Sequence, residues 1–134
     1  MEKALSDIYQ KEIIVQPEHL DAIKHVNNAV YVQWIQEIAG EHWHSKFAKK
    51  EIPEDFWVVL EHHIQYKKQA FLGELLRVET YVEEPNGLRW PRVVNFYRED
   101  TLIVTARTTW CWIDAQSQGP KRISPEVLAI FLTK

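Results

Sequence analysis

One stretch of this 134-residue chain repeats its apolar residues at helical spacing, and a series of strand-like runs comes after it. From Ala29 to about Lys49 the apolar positions Tyr31, Trp34, Ile35, Ile38, Ala39 and, further on, Phe47 recur on one side of a helix. Asn27 or Asn28 is a suitable N-cap, because an Asn side chain accepts a bond from an orphan N–H one turn in. After Pro53 come β-prone runs at Phe56 to Phe71, Glu74 to Glu84, Leu88 to Arg98 and Leu102 to Asp114, separated by Leu-Gly, Pro-Asn-Gly and Glu-Asp turn signals. Strands joined by such short turns pair antiparallel, so the helix buries its apolar stripe on one face of an antiparallel sheet and the fold class is α+β. A further strand is expected at residues 8 to 15, and Ser124-Pro125-Glu126 opens a short helix through Leu132. Pro91 cannot donate to a ladder, which makes its run locally an edge or a bulge. No repeat or linker interrupts the pattern, and residues 1–134 are expected to form one domain.

Hydrophobic residues at 46% and charged residues at 26% exclude a disordered or fibrous chain. A net charge of -3 argues against general nucleic-acid binding, which needs a basic surface to displace counterions. It leaves room for a small basic patch that meets one phosphorylated ligand. The lone Cys111, between Trp110 and Trp112 in a strand-like run, reads as packing rather than as a nucleophile. No apolar run approaches membrane-spanning length and the first residues lack a secretory pattern, so no membrane association and a cytoplasmic location are expected.

Just before the helix stands Asp21, a carboxylate in a short polar loop that leads to a helix N-terminus, where unpaired N–H groups and the positive dipole end favour developing negative charge. That pairing suggests acyl transfer. Asp21-Ala22-Ile23-Lys24-His25-Val26-Asn27-Asn28-Ala29-Val30-Tyr31, followed by Trp34-Ile35-Gln36-Glu37, resembles the signature of hotdog-fold acyl-CoA thioesterases of the 4-hydroxybenzoyl-CoA thioesterase-like family. Ile64 to Glu74 is similar to that family's second strand and turn, and Thr108 to Asp114 to its last strand, so the likeness spans roughly residues 8 to 125. The chain departs from the pattern at Lys24, where the family commonly has Gly, and at His19, where it commonly has Asp. A Lys forced into the left-handed region would carry about 1–2 kcal/mol of strain, unless the loop takes another shape.

The resemblance implies an antiparallel sheet wrapped around one long central helix, a homodimer or homotetramer with the acyl site between subunits, and hydrolysis of an acyl-CoA thioester without a cofactor. Asp21 would be general base or nucleophile, and the backbone N–H near Asn28 would polarise the carbonyl. His25 would orient Asp21 or brace the loop, and Glu37 on the helix is the fallback base. A protein that binds acyl-CoA without turning it over is the alternative, and a hydratase on the same fold would release no thiol. Lys67, Lys68, Arg89 and Arg92 could meet the phosphates of coenzyme A. His42 and His44 point about 200° apart on a helix, and His62 and His63 face opposite sides of a strand, so these histidines do not suggest a metal site.

Overall fold

A computed structural model of the protein describes residues 6–48 and 50–132. The elements in chain order are strand β1 (Tyr9–Ile14), a 3-10 turn at Pro17–His19, helix α1 (Asn28–Ser45), strands β2 (Phe56–Tyr66), β3 (Leu75–Val82), β4 (Arg89–Arg98) and β5 (Thr101–Ile113), and helix α2 (Pro125–Phe131). The strands form one sheet in the order β1-β3-β4-β5-β2, every neighbour antiparallel. The α+β expectation holds, with α1 packed against the sheet.

The apolar stripe of α1 explains the packing. Tyr31, Trp34, Ile35 and Ile38 are buried against Leu76 and Val78 of β3, Val94 and Phe96 of β4, and Val104 and Ala106 of β5. These side chains come from alternate strand positions, because residues two apart share a face of the sheet. A second cluster lies towards the other end, where Val82, Trp90, Trp112, Val127 and Phe131 are buried and Trp43 and Trp57 pack against them. Cys111 is buried and free beside it, in keeping with a packing role.

Three sequence expectations need correction, and the choice between two caps is resolved. Asn27, not Asn28, is the cap of α1: its side chain accepts the Ala29 N–H at 2.9 Å, and Asn28 is the first helical residue. The helix ends at Ser45 rather than near Lys49, which itself lies outside the described residues. Near this end side chains take backbone carbonyls, Ser45 Oγ bonding the His42 carbonyl at 2.6 Å and the His44 ring bonding that of Gly40 at 2.7 Å. Phe47 stays buried, but in the turn beyond the helix. Strand β2 stops at Tyr66 rather than Phe71, because the Lys67 and Lys68 N–H groups both turn onto the Ile103 carbonyl. Pro91 lies neither on an edge nor at a bulge: β4 is an interior strand, Pro91 sits near its start, and its carbonyl accepts the Glu83 N–H just beyond the end of β3.

Candidate functional site

The loop before α1 is built by Asp21 itself. Its Oδ1 accepts the Ile23 N–H at 3.0 Å and the His25 N–H at 3.1 Å, its N–H donates to the His25 carbonyl at 2.8 Å, and its carbonyl accepts the Lys24 N–H at 3.0 Å. This local closure is what an Asp side chain offers in a turn. Oδ2 takes no hydrogen bond from the described residues, so one carboxylate oxygen is held and the other is left available. Lys24 closes the loop at φ 67°, in the left-handed region that Gly occupies at little cost.

The loop is tied down on both sides. The Asn27 N–H donates to the His19 carbonyl at 2.9 Å and the Val26 N–H to the Ala70 carbonyl at 3.1 Å. The His25 ring meets Phe71 edge-on at 5.3 Å between centroids, and the His19 ring meets Trp34 in the same way at 4.9 Å. The segment from Ala70 to Glu74 is itself anchored: Glu74 Oε1 accepts the Phe71 N–H at 2.7 Å and an Arg98 N–H at 2.9 Å, and Arg98 also donates to the Gln69 carbonyl. Ala70, Phe71 and Arg98 are supports that the sequence did not single out, because their contacts depend on how the β2–β3 connection folds back onto the loop.

At the start of α1 the donors are unequally satisfied. Ala29 and Val30 N–H groups go to the Asn27 side chain and carbonyl, whereas the Asn28 N–H meets no acceptor among the described residues. Tyr66 Oη reaches the Asn28 carbonyl at 3.5 Å. Tyr31, one turn into the helix, is buried with no partner for its hydroxyl among the described residues, and burial pushes its phenol up to about 12. Its position in the apolar stripe marked it only as core.

The structure gathers some of the expected site residues and separates others. Asp21, His25 and Asn28 share one loop and helix start, and exposed Lys67 and Lys68 leave the same end of the sheet, next to the Ala70 anchor. Arg89 is exposed at the far end, because it pairs with Cys111 while the two lysines bond Ile103, a separation of roughly 25 Å along β5. Arg92 does not belong to an exposed phosphate patch at all: it is 5% exposed and donates to His42 Nδ1 at 2.9 Å and Thr80 Oγ1 at 3.0 Å. Glu37 lies on the exposed side of α1, where it accepts the Gln33 amide at 3.0 Å, nine residues and roughly 13 Å along the helix from Asn28. Among the described residues no group of three or more His, Cys, Asp or Glu is placed to hold a metal ion. No described helix is long and apolar enough to cross a membrane.

An antiparallel five-stranded sheet packed on one long helix, with an acid-bearing loop at that helix's start, defines the hotdog arrangement. The chain belongs to the thioesterase-like superfamily, whose family profile matches residues 15–131. It is similar to the long-chain acyl-CoA thioesterase FadM of Escherichia coli strain K12, with 28% identity over 122 residues, covering 88% of this chain and 92% of FadM. Its fold is similar to that of the Staphylococcus aureus protein SAV2348, solved in complex with CoA, at a TM-score of 0.81 and 20% identity, covering 92% of this chain and 80% of the other. The DHNA-CoA thioesterase of Staphylococcus aureus shares the fold at a TM-score of 0.74 and 22% identity, covering 86% of this chain and 80% of the other.

Proposed function

We propose that the protein hydrolyses an acyl-CoA thioester to the free acid and coenzyme A, with Asp21 as the reactive carboxylate. The observation that carries this is the division of labour between the loop and the helix start that follows it: Asp21 Oδ1 is used to hold the turn, and among the described residues Oδ2 has no donor and the Asn28 N–H has no acceptor. A carboxylate oxygen held in place by its own loop can take a proton from water or attack the carbonyl carbon directly. The helix-start N–H, favoured by the dipole, stabilises the charge that develops on the carbonyl oxygen before the C–S bond breaks and the thiolate leaves. His25 acts here as a brace through its backbone, and Glu37, exposed further along α1, stays the fallback base.

Coenzyme A as the carrier is supported by the activity in the name of FadM and by the CoA complex of SAV2348. Lys67 and Lys68 are the exposed cations at the right end of the sheet to meet its phosphates as point charges. A homodimer or homotetramer accompanies this reading. Strand β2 ends the sheet, its outer edge has no partner strand among the described residues, and Leu60 on it is 46% exposed, the kind of edge that proteins cover by pairing.

A panel of acyl-CoAs of different chain length, with thiol release followed optically, tests the proposal, and light scattering on the same sample reads the assembly. Turnover that disappears in Asp21→Asn supports it. Acyl-CoA binding without turnover favours the non-catalytic alternative, and turnover of enoyl-CoA without thiol release favours a hydratase.

A further inference from the structure

The second core cluster borders a half-open cavity of about 150 Å³, well away from the Asp21 loop. Its helix-side wall includes Gln36 and Gly40, eight and twelve residues beyond Asn28 and therefore roughly 12–18 Å along α1. Four of the six tryptophans, Trp43, Trp57, Trp90 and Trp110, line it together with Phe131. An apolar cavity of about this volume accommodates a single aromatic ring, and aromatic walls offer such a ring edge-on and stacked contacts.

One charged group enters this largely aromatic wall. Arg92 lines the cavity, and both of its hydrogen bonds run from Nη1 to neutral acceptors, His42 Nδ1 and Thr80 Oγ1. No described carboxylate lies within ion-pair distance of the guanidinium. The nearest acid in the network, Asp7, reaches only the far side of the His42 ring at 3.4 Å and is itself paired with Lys46 at 2.5 Å. Arg92, Lys46 and Asp7 together therefore leave one positive charge uncompensated. A buried cation without a counter-ion is costly, and a guanidinium presents a planar fork that matches a carboxylate.

Gly40 supplies a separate observation. A glycine inside a helix costs about 0.5–1 kcal/mol relative to alanine. A Cβ at Gly40 would meet nothing within 4 Å, so the missing side chain leaves open space at the cavity wall rather than relieving a clash.

We infer that this cavity is a binding site for a small arylcarboxylate, its ring among the tryptophans and its carboxylate on Arg92. Neither the site nor its test depends on the thioesterase reading, because binding here involves none of Asp21, Asn28, Lys67 or Lys68. The test titrates the full-length protein with benzoate and with its neutral isostere benzamide, following tryptophan fluorescence and calorimetry. Benzoate is expected to bind at least about tenfold more tightly than benzamide. Gly40→Leu, which places a side chain in the cavity and removes the helical glycine, is expected to weaken benzoate by more than about tenfold without lowering Tm. Arg92→Met is expected to erase the preference for benzoate, and Asp21→Asn to leave binding unchanged. Absence of benzoate binding, equal affinity for the two compounds, or unchanged binding in Gly40→Leu each overturns the proposal, whether or not Arg92→Met folds.

Discussion

Asp21 and His25 hydrogen-bond each other through their backbones and once more through a side chain: the Asp21 N–H donates to the His25 carbonyl at 2.8 Å, and the His25 N–H returns to Asp21 Oδ1 at 3.1 Å. The same carboxylate thus shapes the loop through Oδ1 and leaves Oδ2 without a donor among the described residues. Asn preserves an Oδ1 acceptor while removing the charge, so Asp21→Asn should keep the loop and its Tm but lower kcat by about 10²–10⁴. Asp21→Ala should lose activity as well and cost about 1 kcal/mol in urea unfolding, because two N–H groups lose their acceptor. An active Asp21→Asn would show that the residue is only a brace.

Lys24 occupies a conformation that suits glycine, at φ 67°. Lys24→Gly removes strain of about 1–2 kcal/mol but gives the unfolded chain more freedom, worth about 0.4–1 kcal/mol in the opposite direction. The expected net effect is a small gain in stability, a Tm higher by a few degrees at most. Lys24→Val, β-branched at positive φ, should lower Tm. Equal melting of Lys24→Gly and Lys24→Val would show that the loop does not impose the φ.

These contrasts mark what the sequence could carry. Helix α1 was legible because its apolar spacing is local, and the turn at Asp21 because the bonds of Asp21 itself reach residues at most four away. The helix end was not, because the apolar spacing runs on to Phe47, which is buried from the turn beyond Ser45. Separating Lys67 and Lys68 from Arg89 required the register of β5 against both neighbours. Arg92 is different, because the signal was present: Trp90, Arg92, Val94 and Phe96 alternate onto one buried face of β4, and strand periodicity places the arginine among them. Charge alone suggested a surface residue.

His42 gives the fold a defined acid sensitivity. Burial lowers its pKa to about 4 and the Arg92 charge adds to this, with Asp7 opposing. The unfolded chain, with an ordinary histidine near 6.5, binds a proton that the folded protein resists. This contribution to stability is complete above pH ~6.5 and is lost as pH falls towards ~4, on the order of 3 kcal/mol in all. Urea midpoints between pH ~7 and ~5, above most carboxylate titration, should fall with pH in the wild type and stay flatter in His42→Gln. Parallel curves would place the sensitivity elsewhere.

The Asn28 N–H can be deleted without breaking the helix, because Asn28 is the first residue of α1. Proline is well accommodated at that helical position, where the lost N–H has no helical acceptor. The preceding residue must then be extended, and Asn27 already is, at φ -64° and ψ 137°. Asn28→Pro should therefore leave Tm close to that of the wild type while lowering kcat by about 10²–10³, the usual cost of one oxyanion donor. Asn28→Ala keeps the N–H and should retain near-normal turnover, apart from a small change in helix stability. Turnover lost equally in Asn28→Ala and Asn28→Pro would move the role from the backbone to the amide side chain, which both variants remove. Wild-type turnover in both would remove this helix start from the reaction and leave the charge on the carbonyl oxygen to another donor.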